Sequence, residues 1–181
     1  MTKGKQPTRM TNRVTHTSDP VATAIRTRGV VLILSAVALL LSCDPSTDRP
    51  PFGPFDAAVR DTVTSDPAAA IAAIAAEITS VGLRVRAESR RDGFLETGGF
   101  DVTRNTSSDG SIYHPDRVVT FRFWADSIPG DRTRITGEAT VRVTSDPSLD
   151  RRMTERMVQP DHAGYELLQR IISGSKSRIG G

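Results

Sequence analysis

A chain of 181 residues, 37% hydrophobic and 25% charged, can hold one domain with accessory segments. Aromatic residues make up only 5%, so its core must be built mainly from Ile, Val, Leu and Ala. The formal charge of +3 invites a nucleic-acid reading, but residues 1–42 hold six of the 24 Lys and Arg and one of the 21 Asp and Glu. From Cys43 onward 18 basic and 20 acidic residues remain, which excludes a basic footprint for DNA or RNA there.

In chain order, the first element is an apolar run at residues 30–41 (Val-Val-Leu-Ile-Leu-Ser-Ala-Val-Ala-Leu-Leu-Leu), preceded by Arg26 and Arg28 and closed by Cys43. A membrane-spanning helix needs roughly 20 apolar residues, so this run has the length of a signal-peptide core instead. Leu40-Leu41-Ser42-Cys43 resembles the lipobox of bacterial lipoproteins, with an aliphatic residue at −3 and a small one at −1; Leu41 at −2 departs from the usual Ala, Ser or Thr. The resemblance covers residues 26–43 alone. It implies that Cys43 receives a diacylglyceryl group, that a signal peptidase cuts before it, and that the lipid anchors the protein to an envelope membrane, on the outer side of the cytoplasmic membrane or the periplasmic face of the outer membrane. It also accounts for the only cysteine, which could form neither an intrachain disulfide nor a Cys-based metal cluster. The alternative is a core cysteine behind a short hydrophobic helix.

Residues 43–65 read as a lipid-anchored tether. Four prolines and a glycine in residues 44–56 favour an extended, semi-rigid chain spanning on the order of 40 Å. Phe52 and Phe55 within it are expected to dock onto the domain's own core. The domain itself is placed at residues 66–174, with a tail at 175–181 expected to fray.

A helix is expected from Asp66 as N-cap and Pro67 as first helical residue, with Ile71, Ile74, Ile78 and Val81 on one face and Gly82 as its stop. The period then changes to two. Leu83, Val85 and Ala87 alternate with Arg84, Arg86 and Glu88, and Asp92-Gly93 marks a tight turn. A second strand is expected over 94–103, kinked at Gly98-Gly99, followed by a polar loop at 105–116. A third strand over 118–127 places Val119, Phe121, Phe123 and Ala125 opposite Arg122, Trp124 and Asp126. After a turn at Pro129-Gly130-Asp131, a fourth strand over 133–145 places Ile135, Ala139, Val141 and Val143 opposite Glu138, Thr140 and Arg142. A short charged helix at 148–158 and a longer one at 161–173, stopped by Gly174, complete the pattern. The expected fold class is α+β: a four-stranded antiparallel meander with one wet face, covered on the other by an N-terminal and a C-terminal helix.

Catalytic and cofactor motifs are not evident. His114-Pro115-Asp116, with Ser107, Ser108 and Ser111 nearby, lacks the placed nucleophile and oxyanion donors that acyl transfer needs. Asp161-His162 suits a helix start, and two isolated histidines do not make a zinc site. Gly98-Gly99 is followed by no helix start or Lys, and Asp109-Gly110 lacks the further oxygen ligands of a calcium loop. No catalytic, cofactor-binding or metal residue is therefore assigned. The wet sheet face, with Trp124, Arg122, Arg84, Arg86 and Arg142, is a possible partner surface, Trp124 being its anchor; its alternative is a ladder of solvated ion pairs. The expected role is a non-catalytic envelope module that binds or assembles with a protein partner and needs no cofactor. The alternatives are a carrier holding a small apolar ligand among Ile74, Phe121, Phe123 and Val141, and a hydrolase using His114.

Overall fold

The computed structural model describes residues 47–108, 117–144 and 146–180. The chain divides into the units Met1–Pro45 and Ser46–Gly181, and every described residue belongs to the second. Cys43, the apolar run before it, and the His114-Pro115-Asp116 loop lie outside the described residues.

Among the described residues eight strands form one antiparallel sheet: β1 (Val59–Val63), β2 (Val85–Ser89), β3 (Phe94–Thr97), β4 (Gly99–Asp101), β5 (Thr106–Ser108), β6 (Val118–Ile128), β7 (Arg132–Arg142) and β8 (Glu155–Met157). The main path runs β1-β7-β6-β3-β2. The two eleven-residue strands β6 and β7 are its spine, and their neighbours come in short pieces. β3 and β4 share one side of β6; β1 and β8 share the far side of β7. The fold is α+β, as expected, and β2-β3-β6-β7 is the meander read from the sequence. It is not a simple four-stranded sheet, because β1, β4, β5 and β8 extend it.

Helix α1 (Pro67–Ser80) starts where the sequence places it. The Asp66 side chain accepts a hydrogen bond from Ala69 N at 2.8 Å, and Pro67 occupies the first turn, where its missing N–H costs nothing. It stops in a paired cap: Leu83 N donates to Ile78 O and Gly82 N to Thr79 O, both at 3.1 Å, with Gly82 at φ 81°. Ile71, Ile74 and Ile78 are fully buried against the sheet, each burial contributing roughly 1.5–3 kcal/mol. The helix carries the chain across the apolar face from β1 at one edge to β2 at the other.

Five expectations change. The tether does not run free to residue 65: β1 pairs with β7 (Val59 opposite Gly137, Val63 opposite Thr133), and residues before it lie on the sheet. The polar loop after β4 begins with β5, which pairs back on β4 after a turn whose amides at Thr103 and Arg104 are held by Asp101 Oδ1. The charged piece at 148–158 is one helical turn, α2 (Arg151–Thr154), followed by β8. Gly174 does not end the last helix, α3 (Ala163–Gly180). It sits where α3 crosses α1, and a Cβ there would lie 2.5 Å from Glu77 Cδ. Ser175, expected in the frayed tail, is fully buried, and Arg178 Nε donates to Glu77 Oε2 at 2.8 Å.

Glycine is also a packing device in β7. A Cβ on Gly137 would lie 2.9 Å from Leu168 Cδ1, 3.0 Å from Ile172 Cδ1 and 3.1 Å from Phe123 Cε1, all three side chains being buried. Gly137→Val is expected to lower unfolding stability by about 2–3 kcal/mol in urea titrations, through overpacking between β6 and α3. A loss under about 0.5 kcal/mol would mean that α3 does not press on the sheet there.

Candidate functional site

The opposite face of the sheet is set by strand parity. On β6, Arg122, Trp124 and Asp126 point away from the helices; on β7, Thr136 and Glu138 do; on β3, Phe94 and Glu96 do. Register puts Glu96 opposite Arg122 and Arg122 opposite Glu138, so the three central strands carry a Glu-Arg-Glu row. The adjacent row joins Phe94, Trp124 and Thr136. The Phe94 and Trp124 rings meet at 5.6 Å between centroids, tilted by 58°.

This face is not wet. Arg122, Trp124 and Glu138 are all 0% exposed, and Glu96 is 4% exposed. Arg122 lies at the centre of a closed ionic cluster. Its Nε donates to Glu96 Oε2 at 2.8 Å, its Nη1 to Glu138 Oε1 at 2.9 Å and Glu155 Oε2 at 2.7 Å, and its Nη2 to Glu155 Oε1 at 2.7 Å. The carboxylates have further partners. Arg151 reaches Glu96 at 2.9 Å and Glu155 at 3.2 Å; Arg152 reaches both oxygens of Glu138 at 3.1 Å; Arg86 reaches Glu96 at 3.3 Å. Burial alone would push the Glu96 carboxyl up. Hydrogen bonds from Arg151 and Arg122, with their charges, more than offset it and hold the group below its ordinary value. Glu155 is likewise lowered: burial opposes, and the hydrogen bond and charge of Arg122, then those of Arg151, outweigh it. Burial disfavours the Arg122 cation, yet Glu155 and Glu96 raise its affinity for its proton.

Two lids cover the face. One is α2-β8, which supplies Arg151, Arg152 and Glu155. The other is the segment before β1, residues 47–58, which crosses the sheet as a strap. It begins near the β2–β3 turn, where Asp48 N donates to Asp92 Oδ2 at 3.3 Å and Arg49 Nη1 to Asp92 O at 3.3 Å; Arg49 Nη2 donates to Asp126 Oδ1 at 2.8 Å. It continues over the cluster. The Phe52 ring lies 4.6 Å from Arg152 Cζ and 5.6 Å from Arg122 Cζ, and the Phe55 ring 3.8 Å from Arg152 Cζ. Phe55 N donates to Glu138 Oε2 at 3.1 Å, and Gly53 O accepts from Arg152. Phe52 and Phe55 thus dock on the domain, as expected, but against its arginines and not in the apolar core.

Of the residues read as a partner surface, the structure brings Arg122, Trp124 and Arg86 to one face. Arg122 and Trp124 are interior, which corrects their reading as exposed: the strap and α2-β8 exclude water from them. Arg84, just before β2, and Arg142, at the end of β7, are exposed. The cluster members Glu96, Glu155, Arg151 and Arg152 were not singled out from sequence. His162 caps α3, its Nδ1 accepting from Gly164 N at 3.0 Å. Beside it lies a cleft of about 300 Å³ lined by Val141, Met157 and Val158 with Arg156, Gln159 and Asp161. Among the described residues no group of three or more His, Cys, Asp or Glu could hold a metal ion, and no helix is long and apolar enough to cross a membrane.

No protein-family model matches the chain, and no curated protein matches it.

Proposed function

We propose that the chain is a lipoprotein of a bacterial envelope, anchored through lipid on Cys43, whose α+β domain is a non-catalytic module for binding or assembling with another envelope protein. The observation that carries this reading is the coincidence of the lipobox-like Leu40-Leu41-Ser42-Cys43 with the start of the compact unit Ser46–Gly181, three residues later. The chemistry of the buried face supports the non-catalytic part. Glu96, Glu138 and Glu155 are each spent on arginine, in a site that the strap and α2-β8 cover, so none is poised to exchange a proton with a substrate. An interaction role is favoured over an apolar-ligand carrier because Ile74, Phe121 and Phe123 are all 0% exposed, and helix α3 presses on Gly137 between them. Val141 alone of the residues expected around a ligand lines an open cleft.

The anchor is tested by Cys43→Ser in the host, with metabolic labelling by an alkyne fatty acid and membrane fractionation. The expected result is complete loss of label, persistence of the uncleaved chain, and loss of tight, detergent-dependent membrane association of the domain. Unchanged labelling and cleavage would rule out Cys43 as the lipid site.

A further inference from the structure

The strap has the composition of a ligand. Residues 49–55 read Arg-Pro-Pro-Phe-Gly-Pro-Phe, and proline-rich chain is pre-ordered as an extended helix whose backbone carbonyls stay free for a partner. Its two fixed points bracket the only tryptophan. Arg49 pairs with Asp126, Phe52 lies over Arg122, and Trp124 stands between those residues on the same face of β6. Pro50-Pro51 are the residues of the strap between those two fixed points. Prolines over an aromatic floor, with a flanking cation on a carboxylate, are the means by which extended proline-rich peptides are commonly recognised.

A second observation points the same way. Trp124 Nε1 is buried and has no hydrogen-bond partner among the described residues, although a buried indole N–H ordinarily finds an acceptor. The indole is fully buried without being satisfied. The ionic row beside it is also tied together within the sheet, Glu96, Arg122, Glu138 and Glu155 being joined across β3, β6, β7 and β8.

We propose that this face is a recognition groove for an extended proline-rich peptide with an N-terminal arginine and following phenylalanines, and that residues 47–55 occupy it in cis until such a segment of a partner replaces them. The groove deepens the interaction reading and rests on it: Trp124 and Arg122 are the anchor of a partner surface that the chain's own strap covers.

The test uses the full chain in detergent and a synthetic peptide of residues 47–56 as the probe. Trp124, the only tryptophan, reports on the groove. In the variant Arg49→Ser/Phe52→Ser/Phe55→Ser, the emission of Trp124 is expected to shift to the red while far-UV circular dichroism and a cooperative melt persist. Added peptide is expected to restore the blue emission saturably. The same peptide with its prolines replaced by alanine, or lacking the second phenylalanine, is expected to bind about tenfold more weakly. Failure of the peptide to bind the folded variant overturns the proposal, and so does equal binding by a scrambled peptide.

A second protein, with a protease site between Asp56 and Ala57 cut after folding, guards against a variant that does not fold. Release of the strap on dilution with the domain still folded supports the groove. A strap that never leaves, or a domain that unfolds as it leaves, makes the segment an integral part of the core and overturns it. Neither measurement depends on lipid, so failure of the anchor at Cys43 and failure of the groove are read separately.

Discussion

Arg122→Met is expected to destabilise the domain by about 3–5 kcal/mol in urea or thermal denaturation, a large share of the 5–15 kcal/mol typical of a domain. The guanidinium is fully buried and shared among Glu96, Glu138 and Glu155. Its removal leaves three carboxylates in the interior, of which Arg151 and Arg152 can compensate only part. Lysine does not rescue, because a single ammonium cannot reproduce the fork that meets carboxylates from three strands. The cost lies in the orphaned charges and not in the loss of attraction, and this has a measurable consequence. Adding Glu96→Gln, Glu138→Gln and Glu155→Gln to Arg122→Met is expected to recover much of the loss, since replacing a whole buried ionic group is far cheaper than breaking it. Arg86→Met, at the 65% exposed rim of the same cluster, is expected to cost under about 1 kcal/mol. An Arg122→Met protein within about 1 kcal/mol of the parent would mean that water reaches the cluster in solution.

The sequence carries the central strands and helix α1 because each rests on a local signal: strand parity in residues 118–127 and 133–145, Asp66-Pro67 before the isoleucines, Gly82 after them; the fourth strand ends earlier than read, at Arg142, and leaves Val143 exposed. The strand read over 94–103 is interrupted at Gly98, between β3 and β4, as the Gly98-Gly99 pair suggests. The misreadings share one cause. Parity says which side chains share a face and says nothing of what covers that face. Arg122 and Glu138 alternate with core residues, so they read as solvated, yet the same row parity also holds Phe94 and Trp124, two large rings that a solvated face would leave in water. That conflict was the available signal, together with a proline-rich segment whose two phenylalanines needed a place. Gly174 misled for a related reason. A glycine near a helix end suits a stop, and only the proximity of α1, with Glu77 against it, shows that the missing side chain makes room for a helix crossing. The dual character of 151–157, one helical turn and then a strand, has no local signal, because β8 is fixed by its pairing with β7 and by Glu155 reaching Arg122.

The cluster also makes the domain acid-sensitive in a defined window. Glu96 and Glu155 are held below their ordinary value of 4.5 in the folded state. A carboxyl lowered on folding stabilises the fold at pH above its unfolded value, and that contribution disappears as pH falls through the folded value. Stability should therefore be insensitive to these two groups from about pH 7 to 5 and decline below about 4.5, with a slope approaching about 2.7 kcal/mol per pH unit when both take up a proton on unfolding. Carboxylates lowered by local hydrogen bonds, Asp92 and Asp146, bend the curve in the same direction, so the parent curve alone does not isolate the cluster. The difference between parent and Arg122→Met does. Without the guanidinium, burial raises the remaining carboxyls, their neutral forms suit the interior, and the variant loses less on acidification than the parent. The gap of about 3–5 kcal/mol at pH 7 is expected to narrow steadily below pH 4.5, measured by urea midpoints at half-unit steps. A gap that stays constant to pH 3 would assign the cost of Arg122→Met to lost packing of its side chain and not to stranded charge.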